Sequence, residues 1–294
     1  MEYTYPLYRP PSEANSLIFQ VTEGCSFNRC SFCSMYRDKT FNEKPLDIVL
    51  AEIETAAKTQ PNTRRVFLAD GDALYRDTAS LLTILNALHQ HFLHLRRVSS
   101  YALPNNLLTK TMGELKDLKA AGLTLLYYGI ETGNANLLKC ITKGATPEKM
   151  KVGLTKATDA RMKVSATVIL GLGGKHYWRE HIQQTAELVN SLKLTFLSTL
   201  QLTLEEGIQA EFLQKFERQK RTFEAQNDLA VLQELELLIS LLSPEKPMIF
   251  RSNHASNALP LKGNLPRDKE NLLKQLNSAS QGETQLIPEW LRGL

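Results

Sequence analysis

Three of the four cysteines, Cys25, Cys30 and Cys33, fall within nine residues of a 294-residue chain. Thiolates separated by four and then two residues on one tight loop can point at a common centre, and a chain with a single remaining cysteine is not building a disulfide framework. Three thiolates leave one position open. A structural zinc site closes with four protein ligands, so zinc would be incomplete here. A cubane iron-sulfur cluster held by three cysteines keeps one iron available to bind something else.

Around that loop the chain alternates short apolar runs with amphipathic helices. Ser16 to Val21 reads as a strand leading into the cysteines, and a helix starts near Pro45 with Leu46, Val49, Leu50 and Ile53 on one face. Arg65 to Asp70 is the second strand, followed by a helix that presents Leu81, Leu85, Leu88 and Phe92. The third strand runs near Arg97 to Leu103, and its helix opens on the capping box Thr111 to Glu114 and stops at Gly122. Leu123 to Ile130, Lys163 to Leu170 and Leu194 to Leu204 complete six strands, with Thr146 and Pro147 announcing the helix between the fourth and fifth. Six strands alternating with helices imply a parallel sheet with right-handed crossovers, here a partial (β/α)6 barrel in the α/β class.

After Glu205 the alternation breaks. Glu206 to Phe223 reads as a charged helix, Asp228 to Leu242 as a leucine-rich one, Lys246 to Arg251 as a strand and Asp268 to Ser278 as a terminal helix. Without a Gly/Ser-rich linker, residues 205–294 are expected to form an α+β extension packed on the barrel. The composition, 43% hydrophobic and 22% charged, is that of a soluble globular protein. No apolar run approaches the roughly 20 residues of a membrane helix, and Met1 to Pro6 shows no signal pattern, so a cytoplasmic protein with no membrane contact is expected. Residues 1–204 carry 24 Lys/Arg against 18 Asp/Glu, and residues 205–294 carry 11 against 13. The excess permits an anionic substrate without requiring one.

With Phe32 directly before the last cysteine, the loop resembles that of the radical S-adenosylmethionine (radical SAM) superfamily. Its first spacing is one residue longer than usual, which a surface loop absorbs at little cost. The resemblance extends over about residues 14–204 and implies a radical SAM barrel whose cofactors are a [4Fe-4S] cluster on Cys25, Cys30 and Cys33 and S-adenosylmethionine on the open iron. Further motifs follow at the carboxyl ends of strands, where a barrel enzyme places its site. Asp70-Gly71-Asp72 stands where the family has Gly-Gly-Glu, and Gly129-Ile130-Glu131 is similar to the ribose-binding motif. Lys143 lies where related members meet the methionyl carboxylate. Ile169 and Gly171 match Gly-x-Ile-x-Gly-x-x-Glu, while Thr167 and Gly174 depart from it. Phe32, Asp70, Gly71, Asp72, Glu131, Lys143, Ile169 and Gly171 are thus the implied cofactor contacts.

Within the superfamily the resemblance leans toward the branch of Elongator-like proteins and oxygen-independent coproporphyrinogen dehydrogenases. It implies oxidoreductase-like chemistry in which one electron, from a reductant such as flavodoxin or ferredoxin, cleaves the cofactor to a radical that takes a hydrogen atom from substrate. A small-molecule substrate is expected, since no acetyltransferase, RNA-binding or cobalamin domain is attached. A tRNA-modifying radical enzyme is the enzymatic rival, but no Lys/Arg cluster with interleaved aromatics occurs along the chain, and nucleic acid is therefore not expected. The rival from another class is a non-enzymatic zinc- or cluster-binding interaction protein using the three cysteines and His254. Arg251 and His254, in the polar run after the apolar Pro247 to Phe250, are candidates for contacting substrate, with His254 expected to titrate near neutral pH. Cys140 is expected to be a small buried hydrophobe.

Overall fold

The computed structural model describes residues 1–292. In chain order its elements are β1 (Leu17–Gln20), β2 (Thr22–Glu23), β3 (Asn42–Glu43), α1 (Leu46–Thr59), β4 (Arg65–Ala69), α2 (Thr78–His91), β5 (Arg97–Tyr101), α3 (Pro104–Thr109), α4 (Met112–Ala120) and β6 (Leu123–Glu131). They continue with α5 (Ala135–Cys140), α6 (Pro147–Asp159), β7 (Lys163–Leu170), α7 (Gly174–Asn190), β8 (Phe196–Gln201), α8 (Glu206–Arg218), α9 (Asp228–Leu241), β9 (Met248–Ser252), β10 (Leu261–Leu265) and α10 (Lys269–Ser280). Eight strands form one sheet in the order β1-β4-β5-β6-β7-β8-β9-β10, and β2 and β3 pair separately. The sheet is mostly parallel, with β10 antiparallel to β9 at its end. The alternation expected from the sequence is therefore present. The sheet continues past the sixth expected strand, because β9 runs parallel to β8.

Two compact units divide the chain. The first comprises Met1–Asn28, Met35–Tyr128 and Val152–Val164, and the second Arg29–Ser34, Gly129–Lys151 and the chain from Ser165 on. In the first unit, Val66, Phe67, Leu68 and Ala69 of β4 are fully buried. A parallel strand covered on both faces has to be apolar throughout, which is why it reads as an unbroken run rather than an alternation. Helix α1 buries Val49, Ile53 and Ala56, and α2 buries Leu81, Ile84, Leu85 and Leu88, both at helical spacing. Helix α4 opens on the expected capping box: Glu114 accepts the Thr111 N–H at 2.7 Å, and Thr111 accepts the Glu114 N–H at 3.2 Å. The Thr111 N–H and then the Thr78 hydroxyl hold the Glu114 carboxyl down to about 2. β1 is the edge of the sheet, and the amino-terminal segment runs along it. Tyr3 donates to the Ile18 carbonyl at 2.9 Å, and Thr4 N–H donates to the Gln20 amide at 2.9 Å.

In the second unit, helix α8 is shorter than the sequence suggests. Charge and apolar spacing extend the expectation to Phe223, but the helix ends at Arg218 and Lys220 takes the left-handed conformation at φ 55°. Phe223 then folds back onto Phe212 and Phe216, with ring centroids 4.9 and 5.2 Å away. Its spacing is helical, but its packing comes from a turn. Cys140, as expected, is buried, and burial pushes its thiol up.

Candidate functional site

The part of the site in the first unit is organised by the exit of β4. Asp70 is fully buried, and its Oδ2 accepts from Lys39 Nζ at 2.8 Å and from Gln20 Nε2 and the Gly24 N–H at 3.3 Å each. The carboxylate thereby fixes Gly24, which sits at φ 70° directly before Cys25. Gly71 lies against the same loop. A Cβ there would come within 2.6 Å of the Tyr36 ring and 3.0 Å of Cys25 Cβ, so this position takes no side chain. Asp72 accepts from the Ser26 hydroxyl. Burial raises its carboxyl above the ordinary aspartate range, against the opposing pull of Ser26, Asn106, the Tyr75 N–H and Lys110.

The part in the second unit joins the other two cysteines to the exit of β6. Cys33 N–H donates to the Cys30 carbonyl at 3.1 Å, which closes a tight turn, and Ser31 N–H docks that turn on the Ile141 carbonyl just beyond α5. Lys143, two residues further on, pairs with Glu131 at 2.8 Å, both side chains about nine-tenths buried. Burial alone would depress the Lys143 ammonium. The Glu131 carboxylate and the Cys30 and Cys33 sulfurs outweigh it and hold the pKa above the ordinary lysine value. Gly129 leaves room for the pair, because a Cβ there would meet Glu131 Oε1 and come within 2.9 Å of Lys143 Nζ, so both side chains would have to shift.

Behind Glu131 lies a network that no sequence motif marks. Thr132 Oγ1 meets His181 Nδ1 at 2.7 Å, and His181 Nε2 lies 3.0 Å from the Ile169 carbonyl and 3.3 Å from Glu234 Oε1. With two acceptors at Nε2, the ring must donate there. Glu234 also accepts the Gly171 N–H at 2.9 Å. His181 and Glu234 are fully buried, and they tie the exits of β6 and β7 to α7 and α9. The available signal was a carboxylate on the apolar stripe of a leucine-rich helix: Glu234 sits between Val231, Leu232, Leu235 and Leu238, all buried. Gly171 has φ 80°, and Ile169 is 7% exposed.

Arg251 and His254 are engaged locally. Arg251, on β9, donates to the Phe250 and Gly263 carbonyls at 2.7 and 3.3 Å, and His254 Nδ1 accepts from Ser256 N–H at 3.2 Å. Burial pushes the His254 pKa below its ordinary value, which corrects the expectation of titration near neutral pH. Phe32 is partly exposed. Among the described residues, no three His, Cys, Asp or Glu side chains stand as a ready metal-holding group, and no helix is long and apolar enough to cross a membrane. What fits an iron-sulfur cluster is the donor chemistry. Three thiols lie on one loop, Cys25 packs against a glycine with no room for a side chain, and Cys30 and Cys33 sit in the field of a buried ammonium.

A family model described as the Radical SAM superfamily matches residues 19–189, a span that takes in every cofactor and metal residue named above. The protein Putative methylthiotransferase MJ0865 of Methanocaldococcus jannaschii is 25% identical over 166 residues, covering 53% of this chain and 35% of that protein. Among solved structures, the radical S-adenosylmethionine methyltransferase TsrM from Kitasatospora setae aligns with a TM-score of 0.58 at 14% identity, over 90% of this chain and 61% of TsrM. Coproporphyrinogen III oxidase HemN from Escherichia coli aligns at 0.55 and 17%, over 76% of this chain and 52% of HemN. The chain thus spans about a third of the curated relative and half to three fifths of these structures, whose likeness is one of fold. The eight-stranded, mostly parallel sheet is that of a partial radical SAM barrel, and this chain belongs to the radical SAM superfamily, whose cofactors are a [4Fe-4S] cluster and S-adenosylmethionine.

Proposed function

We propose that Cys25, Cys30 and Cys33 are the three protein ligands of the cluster and that Glu131 and Lys143 hold the methionyl and ribose groups of S-adenosylmethionine. One observation carries this reading: the buried Glu131–Lys143 pair lies beside Cys30 and Cys33. A carboxylate and an ammonium in one buried place are the complement of a zwitterion's amino and carboxylate groups, and charge-assisted contacts of this kind are worth about 1.5–3 kcal/mol each. Phe32, Ile169 and Gly171 line the same proposal as apolar or backbone contacts, and the backbone of Asp70-Gly71-Asp72 is the contact to the amino group. Residues 14–204 form the catalytic core in this reading and residues 205–294 its extension. Glu234 of the extension supports the core through Gly171 and His181.

When reduced and bound, the cofactor pair supplies hydrogen-atom abstraction. The chain's task is then to orient substrate and exclude water and oxygen. We propose a small-molecule substrate contacted by Arg251 and His254, a flavodoxin- or ferredoxin-type reductant, and a place in the branch of Elongator-like and coproporphyrinogen-oxidising enzymes, which the position of Lys143 supports. The test is calorimetry on anaerobically reconstituted protein together with assay of 5′-deoxyadenosine. Glu131→Gln is expected to bind S-adenosylmethionine about tenfold more weakly with the cluster absorbance intact. Arg251→Ala and His254→Ala are expected to keep uncoupled cleavage. Unchanged affinity in Glu131→Gln would remove that residue from the cofactor site, and loss of uncoupled cleavage in the other two variants would move that segment from the substrate to the cofactor.

A further inference from the structure

We infer that the first unit carries a cleft for single-stranded nucleic acid at the amino ends of β1 and β4. This is the end of those strands opposite to Gly71, Asp72 and the Cys25 loop. Two adjoining hollows of about 530 and 510 Å3 share Asn15, Leu17 and Gln60 in their walls. The walls hold three cations, Arg9, Arg64 and Arg65, and no carboxylate. Among the described residues none of these three arginines forms an ion pair. Two carboxylates of the same unit are already paired, Glu13 with Arg97 at 2.7 Å and Glu52 with Lys44 at 2.6 Å.

The concentration of charge is built into the sheet. Arg65 and Arg97 are register partners in neighbouring strands, and the Arg96 N–H donates to the Arg64 carbonyl at 2.9 Å. Two arginine dipeptides thus enter adjacent strands side by side. Like charges placed across a sheet cost stability, and Glu13 offsets only one of the four. A cleft that keeps such charge without counter-ions offers free energy to a polyanion that neutralises it.

Charge alone does not distinguish nucleic acid from other anions; the remaining walls do. Tyr3 and Tyr5 stand edge to face at 6.3 Å, and Tyr5 is 73% exposed. Their segment is pinned to β1 through Tyr3 and Thr4, so the exposed ring is presented on ordered backbone, ready for a base to stack on it. Asn15, Gln60 and Asn62 add amides that can both donate to and accept from base edges. Along the chain no basic cluster with interleaved aromatics exists. Folding assembles one from residues 3–9 and 64–65.

The site needs neither cluster nor S-adenosylmethionine, so its test is independent of the proposed function. The full chain, without cofactors, is titrated with a fluorescent single-stranded oligouridylate at several salt concentrations. Binding is expected with a log-log salt slope of about −2, near 0.7 for each of three neutralised phosphates. Combining Arg9→Gln, Arg64→Gln and Arg65→Gln should abolish the slope and most of the affinity. Tyr5→Ala, at an exposed position, should weaken binding about tenfold or more with the slope unchanged. Unfolding midpoints matching the parent certify the variants. Absence of binding, or binding that survives the arginine changes, overturns the inference. So does equal competition by polyglutamate or polyphosphate together with an unaffected Tyr5→Ala, which would make this a general anion or acidic-protein surface.

Discussion

Two buried lysine–carboxylate pairs, Lys39–Asp70 and Lys143–Glu131, have the same 2.8 Å separation and differ in what else they touch. Lys39 also donates to the Thr4 carbonyl, and the Asp70 oxygen it meets is shared with Gln20 and the Gly24 N–H. This pair is a clamp that joins the amino-terminal segment, β1 and the Cys25 loop. Lys143 instead feels the Cys30 and Cys33 sulfurs. Equal geometry therefore carries unequal consequences. In the reading proposed above, the pair that also holds the Thr4 carbonyl serves the fold, and the pair in the field of the cysteine sulfurs serves a ligand. Breaking either leaves an uncompensated buried charge, so both lysines matter, but to different measurements.

The largest effect should come from the thiols next to which both pairs are built. Replacing Cys25, Cys30 and Cys33 together by Ala is expected to abolish iron and sulfide incorporation while the circular dichroism of the folded chain persists, since the loop contributes little to the core. Retained cluster absorbance would sink the ligand assignment. Lys39→Met and Lys143→Met separate the two pairs. Loss of Lys39 strands Asp70 and is expected to destabilise the chain by about 3–5 kcal/mol in urea unfolding, with S-adenosylmethionine affinity falling only as far as the Cys25 loop loosens. Lys143→Met should instead lower that affinity at least about tenfold. Interchanged phenotypes would break the distinction.

The smallest expected effect is one of pH. The folded pKa of Lys143 lies above the ordinary value of 10.5. Its stabilising contribution is therefore fully present below that value and is lost as pH rises through the folded pKa. The stability difference between the parent and Lys143→Met should be constant from neutral pH to about 9 and shrink only at more alkaline pH. A difference that already declines between pH 7 and 9 would show that the ammonium is not held in the charged state.

Much of this molecule is legible in the order of its residues. Apolar runs such as Val66 to Ala69, the Thr111/Glu114 capping box and the spacing of Val49 and Ile53 are local signals, and each marks an element that the structure contains. The short helices α3 and α5 and the strand β10 are not legible in this way. Six or fewer residues do not establish a period, and Lys262 and Gly263 in β10 resemble a turn. Phe223 misleads for the opposite reason, being at helical spacing yet packed by a reversal of the chain.

For the candidate site the division runs along the same line. The three cysteines, Phe32, Glu131 and the glycines at 71 and 129 lie within short motifs, so their chemistry can be read wherever the chain is read. Which lysine meets which carboxylate, that Glu234 reaches Gly171 and His181 across 63 and 53 residues, and that Arg9 joins Arg64 and Arg65 beside two tyrosines are matters of tertiary structure. Spacing along a strand or loop is set by covalent geometry and backbone hydrogen bonding, and it leaves its mark on neighbouring residues. Contacts between distant segments are set by packing and by the cost of burying charge, which depend on the whole fold and leave no local pattern in the sequence.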